Sequence, residues 1–119
     1  MAELWELAGW DLARRVRRGE VSARQVIESQ LARIEAVNPL VNAVTVVLDE
    51  SALRAADAVD RAVRSGAEVG ALCGVPMTVK ENIDVAGSAT TLGIAALRDA
   101  IPCNDAPHIG ELRDRKSVV

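Results

Sequence analysis

The sequence predicts an α/β fold in which helices precede and alternate with short buried strands. Apolar residues recur at helical spacing over 10–18, 22–37 and 51–64, as on the buried face of a helix. Apolar, β-branched runs at 42–47 and 77–79 instead indicate buried strands. The resulting order of helix, helix, strand, helix and strand is typical of layered α/β proteins.

The first two helices have recognisable ends in the sequence. Gly19 follows the first helix, and glycine is common just past a helix end. Ser22 and Gln25 match a capping box, in which a serine N-cap is followed three residues later by glutamine. We expect the second helix to end at Asn38-Pro39, because the residue before a proline is pushed out of helical geometry.

The later elements are bounded by turn residues. Gly66 closes the third helix, and a turn over 70–76 leads into the second strand. Small and flexible residues over 86–97 predict a loop of the kind that often lines a site. Asp105 is the expected N-cap of a last helix, with Pro107 in its first turn. Two strands are too few for a sheet that is covered on both faces.

Composition and charge argue against several classes of function. The net charge of −3 argues against nucleic-acid binding, because phosphate contacts need a basic surface. Cys73 and Cys103 lack metal-ligand spacing, and we expect both to be reduced thiols in a cytoplasmic protein. There is neither a secretory leader pattern nor an apolar run of roughly 20 residues. We therefore expect no membrane partner, no metal and no cofactor.

Lys80 is the strongest candidate for chemistry. Of 14 basic residues, only Lys80 and Lys116 are lysines, and Lys80 lies in the apolar segment 74–85. An ammonium group is costly to bury unless it is paired or loses its proton. Lysine, unlike arginine, can be tuned toward neutrality and act as a base. The alternative interpretation is a lysine at a strand end that reaches water beside Glu81 or Asp84.

The segment GVPMTVKENIDVAG, residues 74–87, resembles the amidase signature family of amide hydrolases. Residues 74–84 fit the family pattern throughout, with glycine, proline, lysine and the two acidic positions in register. The likeness extends to the opening run EVSARQVIESQLARIEAVNPLVNAV and to the alanine-rich helix that follows it. It implies the N-terminal part of an α/β/α fold with a mixed central sheet, in which helices precede the first strands.

The resemblance implies a Ser–Ser–Lys triad in which Lys80 is the general base. In the family a serine in a cis peptide relays a proton between this lysine and a nucleophilic serine, which attacks a carboxamide. Neither serine is expected within this chain, since Ser22 is better explained as a helix cap and Ser88 as a loop residue. His108 is expected on a helix surface. Weaker candidates for substrate binding are Thr90, Thr91 and Gly93.

The resemblance also predicts the domain organisation. Residues 1–113 are expected to be a truncated N-terminal portion of one amidase domain, inactive and unstable alone. Residues 114–119 can be encoded by GATCGGAAGAGCGTCGTG, part of a common sequencing adapter, which predicts a non-native tail. Two alternatives remain open. One is the A-type subunit of an amidotransferase for tRNA-dependent amidation, and the other is a non-enzymatic fragment that dimerises through helices 10–18 and 22–37.

Overall fold

The computed structural model describes residues 2–119, in which four α-helices form. They are α1 (Gly9–Arg17), α2 (Ala23–Val41), α3 (Asp49–Arg64) and α4 (Pro107–Asp114), with short 3-10 helices at Leu4–Glu6 and Ala95–Leu97. The four predicted helices are therefore confirmed, as is the loop over 86–97 apart from its 3-10 turn. Within residues 2–119 no helix is long and apolar enough to cross a bilayer.

The N-terminus of α2 is held by two sets of contacts. The predicted capping box is confirmed, because the Ser22 hydroxyl accepts from the Gln25 N–H at 3.0 Å and the Gln25 side chain accepts from the Ser22 N–H at 3.0 Å. Asp60 of α3 adds a second cap. Its carboxylate accepts from the N–H groups of Ala23 at 2.7 Å and Arg24 at 3.1 Å. These contacts satisfy donors that a helix start leaves unpaired, and they join α2 to α3.

The predicted end of α2 at Asn38-Pro39 is wrong, because the helix continues to Val41. Pro39 lies in the last turn of α2, so its missing N–H removes only one backbone hydrogen bond, two residues before the helix ends. The Asn38 side chain then accepts from the N–H groups of Ala43 and Val44 at 3.0 and 2.9 Å. Asn42, at φ 49°, is the left-handed residue that ends the helix.

The main core lies between α1, α2 and α3. Buried side chains of all three helices meet Cys73 and Val118 in one apolar cluster, to which Leu12, Val16, Val26, Ile27, Ala56 and Val59 belong. A second, smaller cluster contains Val85, Ile109 and Val119, with Met77 and Val79 packed against it. Both clusters include residues of the terminal segment 117–119, so this segment is part of the packed structure.

Neither predicted strand, 42–47 or 77–79, is a regular strand in the part of the chain that the structure describes. Segment 72–77 instead pairs with the terminal segment, through Gly74 N–H to Lys116 C=O at 2.9 Å and Met77 N–H to Val118 C=O at 2.9 Å. The one parallel bridge of this ladder joins Pro76 to Val118. A strand needs a neighbour for its backbone groups, and residues 42–47 have none here.

The start of α4 also differs in detail from the prediction. Pro107 is the first helical residue, as predicted, but the N-cap is Ala106 and not Asp105. The Asp105 carboxylate instead accepts from the Ala86 N–H at 2.8 Å and pairs with Arg113 at 2.9 Å. These contacts fix α4 against the loop that follows segment 74–85.

Candidate active site

Lys80 lies at an apolar groove of about 840 Å³ between α2 and two extended segments, 43–48 and 76–85. Ile27, Leu31 and Ile34 of α2 line one wall. Most of the remaining lining is aliphatic and comes from Val44, Val46, Val47, Leu48, Met77, Val79, Val85, Val118 and Val119. The groove therefore places a basic amine beside a surface that favours apolar groups.

The Lys80 side chain is exposed and makes no hydrogen bond or ion pair with any of residues 2–119. The exposure agrees with the interpretation of a lysine that reaches water. The expected partners, however, are engaged elsewhere, because Glu81 and Asp84 contact the loop that follows. The amine is thus left without a polar partner within residues 2–119.

The backbone turns sharply after Lys80. The Ile83 N–H donates to the Lys80 C=O at 3.0 Å, which closes a turn over 80–83. Glu81 and Asn82 are the two central residues of this turn. The side chain of Glu81 has a further role that sequence reasoning missed.

Glu81 accepts three hydrogen bonds on one carboxylate oxygen. Its Oε1 accepts from the N–H of Thr91 at 2.6 Å and of Leu92 at 3.0 Å, and also from the Thr91 hydroxyl. The Thr91 hydroxyl is the main cause that lowers the pKa of Glu81. Burial, the next largest cause, raises this pKa, and the N–H groups of Thr91 and Leu92 each lower it by a smaller amount. No local pattern signals this contact, because its partners are ten residues apart.

The three candidates for substrate binding lie together beside this turn. The Thr90 hydroxyl donates to Asp84 Oδ1 at 2.7 Å, and the Gly93 N–H donates to the Thr91 hydroxyl at 3.2 Å. Thr90, Thr91 and Gly93 are not among the residues that line the groove, whereas Ser88 and Ala89 are. A role for the three in substrate binding stays a prediction.

Three other residues singled out in the sequence have simple surroundings. Ser22 is a helix cap, as predicted. His108 is exposed in the first turn of α4, which confirms its assignment to a helix surface. Ser88 lines the groove with Lys80, and its N–H closes a turn on the Val85 C=O at 3.0 Å.

The chain matches a known protein family over most of its length. Residues 25–119 match the family model described as Amidase. Indoleacetamide hydrolase of Bradyrhizobium diazoefficiens is 40% identical over 116 residues, which cover 98% of this chain and 22% of that protein. The A-type subunit of glutamyl-tRNA(Gln) amidotransferase from Streptomyces coelicolor is 40% identical over 119 residues, covering 100% and 24%.

A solved structure agrees with these matches. A bacterial aryl acylamidase, described as an amidase signature enzyme, superposes with a TM-score of 0.88 at 29% identity, covering 94% of this chain and 24% of that one. The described residues therefore follow the chain path of one segment of that fold. The chain spans between about a fifth and a quarter of the length of the relatives it matches.

Proposed function

Since the chain belongs to the amidase signature family, we propose that it is the N-terminal part of an enzyme that hydrolyses a carboxamide to an acid and ammonia or an amine. The observation that carries this proposal is the position of Lys80. It is the lysine of the family pattern over 74–84, and it lines an apolar groove. The similarity to an indoleacetamide hydrolase and an aryl acylamidase supports amides as the substrate class.

In the proposed mechanism Lys80 is the general base. The neutral amine accepts a proton, through a bridging serine, from the hydroxyl of a nucleophilic serine, whose oxygen then attacks the amide carbon. The C–N bond breaks as the leaving nitrogen takes a proton, and water then releases the acid from the acyl-enzyme. We place both serines outside residues 1–119, because the relatives are about four times as long as this chain.

We further propose that segments 42–47 and 77–79 become strands of a mixed central sheet in the complete protein. The parallel ladder formed by segment 72–77 supports this, since its backbone already has the hydrogen-bond pattern of a strand beside a neighbour. In the complete protein we place the native chain that follows residue 113 where residues 114–119 lie. The exposed side chains of Val46 and Val47 would then be covered, and the groove would be filled by further elements of the domain.

The domain assignment remains a proposal as well. Residues 1–113 form the N-terminal portion of one amidase domain, and residues 114–119 are a non-native tail. Sequencing the source DNA tests this, because a codon string other than GATCGGAAGAGCGTCGTG would contradict an adapter origin. We also propose that the protein acts in the cytoplasm on small amides, without a nucleic-acid or membrane partner.

The second candidate function is that of an amidotransferase component. The 40% identity to the A-type subunit of a glutamyl-tRNA(Gln) amidotransferase, over the whole chain, supports it. Such a protein would assemble with partner proteins and release ammonia from glutamine. A complete protein that forms no complex with other proteins and hydrolyses simple amides unaided would contradict this second candidate.

The test is an amidase assay on the complete protein encoded by the gene. We expect Lys80→Ala to lower kcat/KM for a panel of aromatic and aliphatic carboxamides by about a hundredfold or more, the usual contribution of a general base. Arg64→Ala is the matched control, because it removes an exposed cation at the end of α3, outside the motif, that makes no hydrogen bond or ion pair within residues 2–119. Full activity in Lys80→Ala would overturn the proposed role.

A further inference from the structure

Glu81 joins two segments that lie ten residues apart in the chain. One oxygen of its carboxylate accepts from both donors of Thr91 and from the N–H of Leu92. Hydrogen bonds to an ionised carboxylate are roughly twice as strong as neutral ones. This one side chain therefore holds the start of the loop over 91–93 against the turn that follows Lys80.

Asp84 makes a second attachment between the same two segments. Its Oδ1 accepts from the Thr90 hydroxyl at 2.7 Å. The hydrogen bond that closes the turn, from the Ile83 N–H to the Lys80 C=O at 3.0 Å, encloses Glu81, and Asp84 follows the turn directly. The turn that carries Lys80 is thus attached to the loop at Glu81 within it and at Asp84 just after it.

The backbone of Leu92 indicates that the loop depends on these contacts. Leu92 has φ 53°, in the left-handed region that residues with a Cβ rarely adopt. Such a conformation persists only where the surrounding structure holds it. Glu81 accepts from the N–H of this residue at 3.0 Å, so the carboxylate is one group that holds it.

We propose that Glu81 is a positioning residue for Lys80, which locks the Lys80 turn against the loop through Thr91 and Leu92. The inference rests on the proposed role of Lys80 as the base. Glu81 acts through the backbone, and it fixes the direction in which the lysine side chain leaves the turn. We call these contacts the clamp: the Thr91 hydroxyl donates to Glu81, and the Thr90 hydroxyl donates to Asp84.

Amide hydrogen exchange of the 119-residue chain tests the clamp without requiring activity. Exchange is followed at low micromolar concentration by mass spectrometry with residue-level fragmentation. In Glu81→Ala we expect exchange at Thr91 and Leu92 to become about tenfold faster, as the loss of a charge-assisted hydrogen bond predicts for local opening. Because the turn is attached to the loop, exchange at Ile83 should accelerate as well.

Glu68→Ala is the matched control. Glu68 is an exposed glutamate that makes no hydrogen bond or ion pair within residues 2–119, whereas Glu81 is half-buried. Its removal should leave exchange at Ile83, Thr91 and Leu92 unchanged. Exchange at Val59 in the core of α3 reports whether each variant keeps the overall fold.

Two more variants separate positioning from simple loop attachment. Thr91→Val removes the hydroxyl that donates to Glu81, so it tests the same contact from the loop. It should also accelerate exchange at Ile83, and it provides the test if Glu81→Ala fails to fold. Glu81→Gln keeps an acceptor oxygen and should restore part of the protection.

Two results would overturn the inference. One is unchanged exchange at all three amides, and the other is faster exchange at Thr91 and Leu92 with no change at Ile83. Either result leaves the Lys80→Ala assay to decide the proposed function independently.

Discussion

Lys80 and Glu81 are neighbours in the sequence, yet their side chains have opposite surroundings. The amine of Lys80 is exposed and makes no hydrogen bond or ion pair within residues 2–119, while the carboxylate of Glu81 accepts three hydrogen bonds from one loop. The lysine therefore has no polar partner in the described part of the chain. The carboxylate of Glu81 next to it is already hydrogen-bonded to Thr91 and Leu92.

Acid should release the loop from Glu81. The folded pKa of Glu81 lies below its ordinary value, mainly because of the Thr91 hydroxyl. The contact is therefore fully present above the unfolded pKa of about 4.3 and is lost as pH falls through the lower folded pKa. The other charged groups of the same turn are Lys80 and Asp84.

Exchange protection factors at Thr91 and Leu92, corrected for intrinsic rates, measure this effect. They should be constant above about pH 5, given the ordinary glutamate pKa, and fall below it. In Glu81→Gln they should not depend on pH in this range. Protection in the parent chain that stays constant down to acid unfolding would contradict the prediction.

At the level of elements, helix ends and turns are set by side chains from other segments. Asp60 of α3 caps the start of α2, and the Asn38 side chain accepts from the Val44 N–H beyond the end of α2. The Asp105 carboxylate, just before α4, accepts from the Ala86 N–H at the start of the loop over 86–97. The turn over 70–76 packs directly on two helices through Gly74. Each of these contacts gives a substitution with a definite expected cost.

Asp60→Ala should destabilise the chain by about 1–2 kcal/mol, because it removes a cap and leaves buried N–H groups of α2 unpaired. The measurement is urea unfolding followed by circular dichroism at low micromolar concentration. Asp57→Ala is the matched control on the same helix. Asp57 pairs with Arg24 at 2.8 Å in a partly exposed position, so its loss should cost less than about 1 kcal/mol. Equal losses would contradict the assignment of Asp60 as a buried cap.

Gly74→Ala should be more destabilising than Gly66→Ala. Both glycines have positive φ, 71° and 72°, so alanine is strained at either position. At Gly74 the added Cβ would also lie 2.9 Å from the Cβ of Ala23, whereas at Gly66 no atom lies within 4 Å. The extra cost of overpacking is about 1–3 kcal/mol. Equal unfolding midpoints for the two variants would show that the turn moves away from α2 at no cost.

At the scale of the whole molecule, the described residues hold one helical core and leave an apolar side uncovered. The core lies between α1, α2 and α3, while a groove of about 840 Å³ opens between α2 and the two extended segments. Val46 and Val47 are 55% and 44% exposed at this side. Exposed apolar surface of this kind favours association.

We therefore expect the 119-residue chain to associate as its concentration rises. Light scattering after size exclusion, from low to high micromolar concentration, measures the effect. Val46→Lys should reduce association because it places a charge at the groove, whereas Ala58→Lys, on the exposed side of α3, should not. A monomer at all concentrations that unfolds cooperatively on heating would contradict this prediction.

The sequence by itself determined the helices and the family. Helical periodicity and the capping box at Ser22 are local patterns that predict α1 to α3, and Pro107 in the first turn predicts α4, all without knowledge of the rest of the fold. The pattern over 74–84 is equally local, and it identified the amidase signature and Lys80 as the candidate base. These features depend on residues only a few positions apart.

Tertiary structure alone decided the remaining features, because each depends on groups that are distant in sequence. Residues 42–47 have strand-like composition but no backbone neighbour, so no strand forms in residues 2–119. Segment 72–77 finds its partner only in the terminal residues. The contact of Glu81 with Thr91 spans a loop whose path no local pattern predicts. A hydrogen bond between distant segments forms only when the intervening chain brings its groups together.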